Sequence, residues 1–148
     1  EMTMRVLIVE DEIFVALEIE EIVAEAGLSV GAIAADRAAA IESAALCDIA
    51  LVDLNLRDGP TGPEIGRILA KEFGIRVIYV TANPAQIGDA ADAALGVITK
   101  PFRSETVKAV LAFARADNDA EQFEYQSIAG FTPFLPRPGS LRGSEYAE

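Results

Sequence analysis

The sequence has 148 residues, 51% of them hydrophobic, which is enough for one globular domain with a proper core and too few for two ordinary domains. Its 12 basic and 24 acidic residues give a net charge of −12, which disfavours nonspecific binding to nucleic acids and to anionic membranes. We therefore expect proteins or a cation as partners. Histidine is absent, which removes the commonest general base and zinc ligand. No segment predicts a membrane span or a signal peptide, so a cytoplasmic location is expected.

Five short apolar runs alternate with five segments of helical spacing. The predicted strands cover residues 5–9, 29–34, 48–54, 76–80 and 96–99, and the predicted helices cover residues 12–26, 36–46, 63–73, 84–94 and 104–116. Gly27 and Gly74 lie where the first and third helices should end. Cys47 lies in an apolar run and is expected to be a core residue. The alternation predicts an α/β fold with a doubly wound, five-stranded parallel sheet covered on both faces.

The strand and helix pattern ends near residue 116. We expect a domain at residues 4–116 and an irregular tail at residues 117–148 that is rich in Pro, Gly and Ser at its end. Too few residues follow 116 for a helix-turn-helix module, so output is expected through protein contact. The tail nevertheless contains an unusual share of the aromatic residues for a segment that only stays dissolved, namely Phe123, Tyr125, Phe131, Phe134 and Tyr146.

A second stripe on the last predicted helix is hard to bury within one domain. It consists of Ala109, Ala112, Phe113 and Ala116, on a different side from the ordinary core positions of that helix. We expect this stripe to meet either the tail or a second copy of the chain. A homodimer through the last helix and the tail is therefore one possibility.

Polar side chains lie at the ends of four of the five predicted strands. Glu10 and Asp11 follow the first strand, Asp53 lies at the end of the third, and Thr81 and Lys100 follow the fourth and fifth. Because ligands of open parallel sheets bind at the carboxyl ends of the strands, these side chains are expected to lie together. Their chemistry indicates the kind of ligand.

Three neighbouring carboxylates can share one hard divalent ion, with a backbone carbonyl and water as further ligands. Mg²⁺ prefers few carboxylates together with phosphate oxygens, so such a site suits a phosphoryl group. Asp53 would attack phosphorus and form an aspartyl phosphate, while the Thr81 hydroxyl and the Lys100 ammonium would each bind one phosphoryl oxygen. In the alternative interpretation, Glu10, Asp11 and Glu12 only begin a solvated helix, Thr81 is an ordinary strand residue and Lys100 is exposed. We assign Glu12 to the helix.

The segments "VEDE", "LVDLNL", "VTAN" and "KPF" resemble, in order and position, the receiver domain of two-component response regulators. The resemblance covers about residues 4–116. It implies a flavodoxin-like (βα)5 fold and a domain that takes its phosphoryl group from the phosphohistidine of a sensor histidine kinase. The implied roles are Asp53 as acceptor, Thr81 and Lys100 as the sensing pair, and a Mg²⁺ site formed by Glu10, Asp11, Asp53 and the Asn55 carbonyl.

The resemblance also implies a cis peptide bond between Lys100 and Pro101. The sequence departs from the family at Val97, three residues before the lysine, where receivers usually carry Tyr or Phe. In the family that aromatic ring turns inward on activation. A valine has no ring, so it cannot act as the same rotamer switch. Within this family, the segment "DLNL" followed by "GPTG" resembles stress and light signalling regulators.

The predicted function is that of a single-domain response regulator with self-catalysed phosphotransfer and slow autodephosphorylation. It would signal by contact with a downstream regulatory protein or act as a phosphate sink. One alternative is a receiver-like interaction module that works without phosphorylation. Another is a phosphatase of the haloacid dehalogenase type, but that chemistry needs a second Asp as general acid where this chain has Asn55.

Overall fold

The structure is a computed structural model that describes residues 3–116 and 127–134. Within these ranges, the strands are β1 (Arg5–Val9), β2 (Ser29–Ala34), β3 (Ile49–Val52), β4 (Arg76–Thr81), β5 (Ala94–Thr99) and β6 (Phe131–Pro133). The α-helices of the same ranges are α1 (Ile13–Glu25), α2 (Arg37–Ser43), α3 (Gly62–Phe73) and α4 (Ser104–Arg115). Two further segments, Ala44–Leu46 and Pro84–Ala93, form 3-10 turns.

The described residues form one sheet with the strand order β2-β1-β3-β4-β5-β6. The first five strands are parallel, as predicted, and helices cover both faces. The prediction of five strands is wrong, because β6 adds antiparallel to the edge of β5. This strand has three residues, "FTP", and ends in a proline, so it carries no apolar run of the length that indicates a strand from sequence.

The predicted helix at residues 84–94 is also wrong in type. Residues Pro84–Ala93 form 3-10 turns that are interrupted at Gly88, whose φ of 57° and ψ of −134° are not helical. A glycine adopts such a conformation without steric cost, so the chain leaves the helical conformation at Gly88. The sequence keeps the apolar spacing of a helix, which is why it predicts a helix. Residues Ala44–Leu46 likewise form a 3-10 turn, which shortens the predicted helix at 36–46.

The core consists of two layers, one on each face of the sheet, because successive side chains of a strand point to opposite faces. On one face, Leu7, Val52 and Tyr79 pack against α2, α3 and the Pro84–Ala93 segment. On the other face, Ile8 and Leu51 pack against α1 and α4. Burial on both faces explains the continuous apolar runs of the central strands.

Cys47 is buried, which confirms its predicted place in the core, and burial raises the pKa of its thiol. Gly74 ends α3 in the left-handed conformation, with a φ of 69°. At the other end of α3, a Cβ atom on Gly62 would overlap the carbonyl oxygen of Asp53. The absence of a side chain at Gly62 therefore lets α3 begin directly beside the end of β3. None of the helices in the described ranges is both long and apolar enough to cross a membrane.

Candidate functional site

A cleft lies at the carboxyl ends of the parallel strands. Of the residues singled out from the sequence, it is lined by Asp11, Asp53, Asn55, Thr81 and Lys100. Each follows or ends a strand: Asp11 comes after β1, Asp53 after β3 and Lys100 after β5, while Thr81 is the last residue of β4. The parallel order of these strands brings the side chains together at one edge of the sheet.

Three carboxylates meet at this edge. Glu10, Asp11 and Asp53 each offer an oxygen, and these atoms all lie within 4.8 Å of one another. Glu10 and Asp53 are buried, whereas Asp11 is exposed at the mouth of the cleft. Hard oxygen donors in a half-open cluster are the donor set that Mg²⁺ accepts when further ligands come from water or phosphate. The residues present therefore fit the predicted ion.

Lys100 connects two of these carboxylates. Its Nζ donates to Glu10 Oε1 and to Asp53 Oδ2, each at 3.2 Å. Burial alone would lower the pKa of the Lys100 ammonium, but the charges of Glu10 and Asp53 outweigh burial and raise that pKa. The positive charge of Lys100 is therefore held in place between two negative groups. The Lys100–Pro101 peptide bond is cis, as predicted.

Burial and a neighbouring negative charge both disfavour the ionised form of the Glu10 carboxylate. Burial raises its pKa, and the negative charge of Asp53 adds to the rise. The backbone N–H of Glu12, which donates to Glu10 Oε2 at 3.1 Å, and the Lys100 charge act in the opposite direction. Glu12 itself is the residue that precedes α1, as expected from its assignment to the helix. A cation near Glu10 would relieve the same repulsion.

The side chain of Asp53 is oriented by two donors. The backbone N–H of Leu54 donates to Oδ1 at 2.7 Å, and Lys100 Nζ contacts Oδ2. The Asp53 backbone N–H donates to the Val9 carbonyl at 2.9 Å, so the residue is fixed to the neighbouring strand. Only 9% of Asp53 is exposed, and that exposed part faces the cleft.

Thr81 is almost fully buried, with 1% of its surface exposed, yet it lines the cleft. Its Oγ1 accepts a hydrogen bond of 3.0 Å from the backbone N–H of Asn83, and its carbonyl accepts one of 2.9 Å from the backbone N–H of Lys100. The hydroxyl therefore belongs to the turn after β4, while the backbone of Thr81 is tied directly to the residue that carries the ammonium group.

Asn55 lines the cleft from the loop after β3. Its side chain forms a reciprocal amide pair with Gln86, in which Asn55 Nδ2 donates to Gln86 Oε1 at 3.2 Å and Gln86 Nε2 donates to Asn55 Oδ1 at 2.8 Å. The sequence analysis did not find Gln86, because it lies inside a segment of helical spacing. The amide pair ties the loop after β3 to the Pro84–Ala93 segment.

An exposed apolar patch lies beside the cleft at the start of α1. Phe14 is 83% exposed, and Ile13 and Leu17 are also exposed. Their helix begins directly after Asp11 and Glu12, so the patch is next to the acidic cluster. The sequence analysis did not single out these residues. A run such as "DEIFVAL" looks like an ordinary amphipathic helix start until the burial of each position is known.

Comparison with known proteins gives one consistent result. The sequence profile of the response regulator receiver domain matches residues 6–112. The phyllosphere-induced regulator PhyR of Methylorubrum extorquens is 33% identical over 119 residues, which are 77% of this chain and 44% of PhyR. The chain thus spans less than half the length of that relative.

Solved structures of receiver domains are similar as well, among them two from PhyR proteins. The solution structure of the PhyR receiver domain from Erythrobacter litoralis has 28% identity and a TM-score of 0.69, over 86% of this chain and 96% of that one. The crystal structure of PhyR from Bartonella quintana, described as an anti-anti-sigma factor, has 29% identity and a TM-score of 0.66, over 77% of this chain and 48% of that one. With its matching fold, strand-end acids and sequence profile, this chain belongs to the response regulator receiver domain family.

Proposed function

We propose that this protein accepts a phosphoryl group on Asp53 from the phosphohistidine of a sensor histidine kinase, in the cytoplasm, and passes the signal on by protein contact. The observation that carries the proposal is the position of Lys100 Nζ, 3.2 Å from carboxylate oxygens of both Asp53 and Glu10. An ammonium group placed there can bind a phosphoryl oxygen as soon as one is attached to Asp53. In this proposal the receiver domain covers residues 4–116, and residues 117–148 are its tail.

In the proposed reaction, a carboxylate oxygen of Asp53 attacks the phosphorus of the phosphohistidine. The new P–O bond forms as the P–N bond breaks, and the imidazole of the kinase leaves with the bonding electron pair. Lys100 then exchanges its contact with Asp53 Oδ2 for a phosphoryl oxygen. The Thr81 hydroxyl, whose oxygen accepts from the Asn83 N–H, would donate its own proton to another phosphoryl oxygen.

The negative charge of the phosphoryl group must be neutralised for this transfer to proceed. A Mg²⁺ ion held by Glu10, Asp11, Asp53 and the Asn55 carbonyl would supply positive charge to the phosphoryl oxygens. Lys100 is the second source of positive charge and is already in position. The loop residue Asn55 lines the same cleft.

We further propose contact with a downstream regulatory protein as the output, with a phosphate sink as the alternative. One similar structure is of a protein described as an anti-anti-sigma factor, which supports regulation by protein contact. A homodimer through α4 and the tail is a second form of contact that this proposal allows. The haloacid dehalogenase alternative has no support from the family match.

A receiver-like module that works without phosphorylation is the second candidate. The observation that favours it is Val97, a small buried residue at the position where receivers usually carry an aromatic switch. The two candidates differ in one respect: a phosphorylation-independent module binds its partner equally well when Asp53 is replaced by Asn.

The direct test uses acetyl phosphate, a small phosphoryl donor that needs no kinase. With Mg²⁺, wild-type protein is expected to gain the mass of one phosphoryl group in intact-mass spectrometry. Asp53→Asn and wild type with excess EDTA are expected to gain none. If Asp53→Asn is labelled as fast as wild type, Asp53 is not the acceptor and the proposal fails.

A further inference from the structure

The chain supplies an extra strand to its own sheet. In β6, Phe131 pairs with Ile98, Thr132 with Val97 and Pro133 with Gly96. Two backbone hydrogen bonds flank these pairs: Thr99 N–H donates to the Gly130 carbonyl at 3.0 Å, and Phe134 N–H donates to the Leu95 carbonyl at 2.9 Å. The segment thereby covers the edge of β5, which would otherwise present unpaired backbone groups.

The surface under β6 is shaped to fit this segment. A Cβ atom on Gly96 would come within 2.5 Å of Phe131 Cζ, so the ring of Phe131 occupies the space that a side chain at residue 96 would fill. On the other side, the ring centroid of Phe131 lies 6.0 Å from that of Phe113, a distance typical of a tilted aromatic pair. Phe113 belongs to the α4 stripe that was difficult to bury within one domain.

α4 provides a second attachment point. The hydroxyl of Thr106, a buried residue, donates to the Ala129 carbonyl at 2.8 Å. The next residue, Gly130, has a φ of 86°, a left-handed conformation that turns the chain into β6. We call the surface formed by Gly96, Ile98, Thr106 and Phe113 the β6 seat. Of the five aromatic residues of the tail, Phe131 lies here and Phe134 packs on the other face of the sheet, whereas Phe123, Tyr125 and Tyr146 lie outside the described residues.

The attachment is small compared with the rest of the sheet. β6 has three residues and one neighbouring strand, and within it Thr132 is exposed while Phe131 is only partly buried. Elements with a short ladder and little buried apolar surface open at much lower free energy than a central strand. β6 is therefore the described strand best suited to detach while the remainder of the fold persists.

The β6 seat is connected to the candidate site through one peptide unit. Thr99 donates its N–H to Gly130 in the tail, and the next residue, Lys100, contacts Asp53 and Glu10 through its side chain. The backbone N–H of Lys100 also donates to the Thr81 carbonyl at 2.9 Å. A change in the position of Lys100 therefore acts directly on a residue that holds the tail.

Phe134 adds a second connection. It packs against the core layer that contains Val97, Tyr79 and Ile87, on the face where a larger side chain at residue 97 would lie. The aromatic group on this side of β5 is thus supplied by the tail and not by the strand itself. Phe134 and Val97 therefore lie in the same core layer.

We propose that residues 127–134 act as a reversible strand ligand of the β6 seat, and that a phosphoryl group on Asp53 loosens them. The backbone bonds to β6 fit the position that Lys100 takes while it contacts the Asp53 carboxylate. A phosphoryl oxygen lies farther out than that carboxylate, so Lys100 shifts and the fit at Thr99 deteriorates. Detachment then exposes the β5 edge and Phe113 as a binding surface. This inference rests on the proposed function of Asp53.

The test follows amide hydrogen exchange by NMR in the full chain, with Mg²⁺ and beryllofluoride, which stands in for the phosphoryl group. Bound beryllofluoride is verified independently by its ¹⁹F signal. The amides of Thr99 and Phe134 are expected to exchange about tenfold faster when beryllofluoride is bound, a ratio of the size that coupled sites show. The amide of Asp48, which donates to the Arg5 carbonyl between β3 and β1 at the end of the strands opposite the cleft, is the internal control and should not change.

Two outcomes of this experiment separate the proposals. If beryllofluoride binds and the Thr99 and Phe134 amides exchange at an unchanged or slower rate, the coupling is refuted while the function of Asp53 stands. If no bound ¹⁹F signal forms at Asp53, both proposals fail together.

Variants that weaken the tail contact test the same coupling through their affinity for beryllofluoride. Phe131→Ala and Thr106→Val should each weaken the tail contact, and by linkage they should bind beryllofluoride more tightly than wild type, by up to the factor seen in exchange. Thr132→Ser, at the exposed position of β6, is the matched control and should behave as wild type. Unaltered protection of the Asp48 amide shows that the variants are folded. The inference is wrong if Phe131→Ala exchanges its Thr99 amide hydrogen faster than wild type but does not bind beryllofluoride more tightly.

Discussion

Lys100 is the residue on which the electrostatics of the cleft depend. It contacts two buried carboxylates that would otherwise repel each other, and no other cation contacts them among the described ion pairs. Removing its charge leaves Glu10 buried beside Asp53 without compensation, which is costly in a partly buried site. The same residue is the predicted sensor of the phosphoryl group, so one substitution affects both stability and response.

Lys100→Met is expected to lower the free energy of unfolding by about 1–3 kcal/mol in the absence of divalent ions, because two charge-assisted hydrogen bonds are lost. Mg²⁺ should stabilise this variant more than it stabilises wild type, because the ion replaces the missing positive charge. Urea unfolding with EDTA and with Mg²⁺ measures both effects. Equal Mg²⁺ stabilisation of the two proteins would show that the ion does not act on these carboxylates.

The amide pair between Asn55 and Gln86 leads to a second prediction for single residues. Gln86→Ala removes the amide pair and frees the Asn55 side chain, which lines the cleft. We expect the phosphorylated protein of this variant to have a lifetime about two- to tenfold shorter. This factor corresponds to the free energy of one net hydrogen bond. Loss of label after removal of acetyl phosphate gives the rate. Asp89→Ala, in the same segment, is the control. A lifetime as long as that of wild type would mean that the amide pair does not protect the acyl phosphate.

The sequence could predict where most site residues lie and could not predict the contacts of Gln86. Asp11, Asp53 and Lys100 each come directly after an apolar strand, so the strand-end rule places them at one edge. The position of Gln86 depends on how the Pro84–Ala93 turns fold around Gly88, which periodicity does not encode. Their catalytic and metal-binding roles remain predictions that the experiments above examine.

At the scale of secondary structure, the start of α3 packs closely against the backbone of Asp53. Gly62 N–H donates to the Leu54 carbonyl at 3.0 Å, and the helix begins close enough to β3 that no Cβ atom fits at Gly62. The atoms in the way are backbone atoms of Asp53 and Leu54, which cannot move aside as a flexible side chain could. The position therefore requires glycine because of close approach rather than because of an unusual φ.

Gly62→Ala is expected to destabilise the fold by about 1–3 kcal/mol, the usual range for overpacking, although alanine is the better helix former. It should also slow phosphorylation by acetyl phosphate, since the backbone of Asp53 must shift. Glu64→Ala, at an exposed position of the same helical turn, is the control and should cost at most about 1 kcal/mol, the upper value for an exposed ion pair such as that with Arg37. Wild-type stability of Gly62→Ala would refute the close approach.

The alternation of strands and helices could be predicted because it depends on long apolar runs that are buried on both faces. Two elements could not be predicted. The Pro84–Ala93 segment keeps helical spacing of its apolar residues while Gly88 leaves the helical conformation. β6 is too short to form a periodic pattern, and its stability comes from the edge of β5, a partner distant in sequence.

At the scale of the whole molecule, the described residues include an exposed apolar patch beside the cleft and a second apolar surface under β6. The first, around Phe14, is exposed directly next to the acidic cluster, where in the proposed function a phosphohistidine would approach Asp53. The second is the β6 seat, which the chain covers with its own strand. Input and output can therefore use different faces, with Lys100 connected to both.

Phe14→Ala is expected to slow phosphotransfer from a phosphorylated histidine kinase at least about fivefold, because exposed aromatic residues at the centre of an interface contribute about 1 kcal/mol or more. Labelling by acetyl phosphate should not change, since that donor needs no protein contact. The control is Phe73→Ala, which removes another exposed ring at the far end of α3. Equal phosphotransfer to Phe14→Ala and wild type would place the kinase contact elsewhere.

The most direct measurement locates the phosphoryl group by residue. Protein phosphorylated with acetyl phosphate and Mg²⁺ is reduced with borohydride, which converts an aspartyl phosphate to homoserine, and the peptides are sequenced by mass spectrometry. The account predicts homoserine at residue 53, no homoserine at Asp11, and no reduction of Glu10 to 2-amino-5-hydroxypentanoic acid. Homoserine at another aspartate, with residue 53 intact, would contradict it.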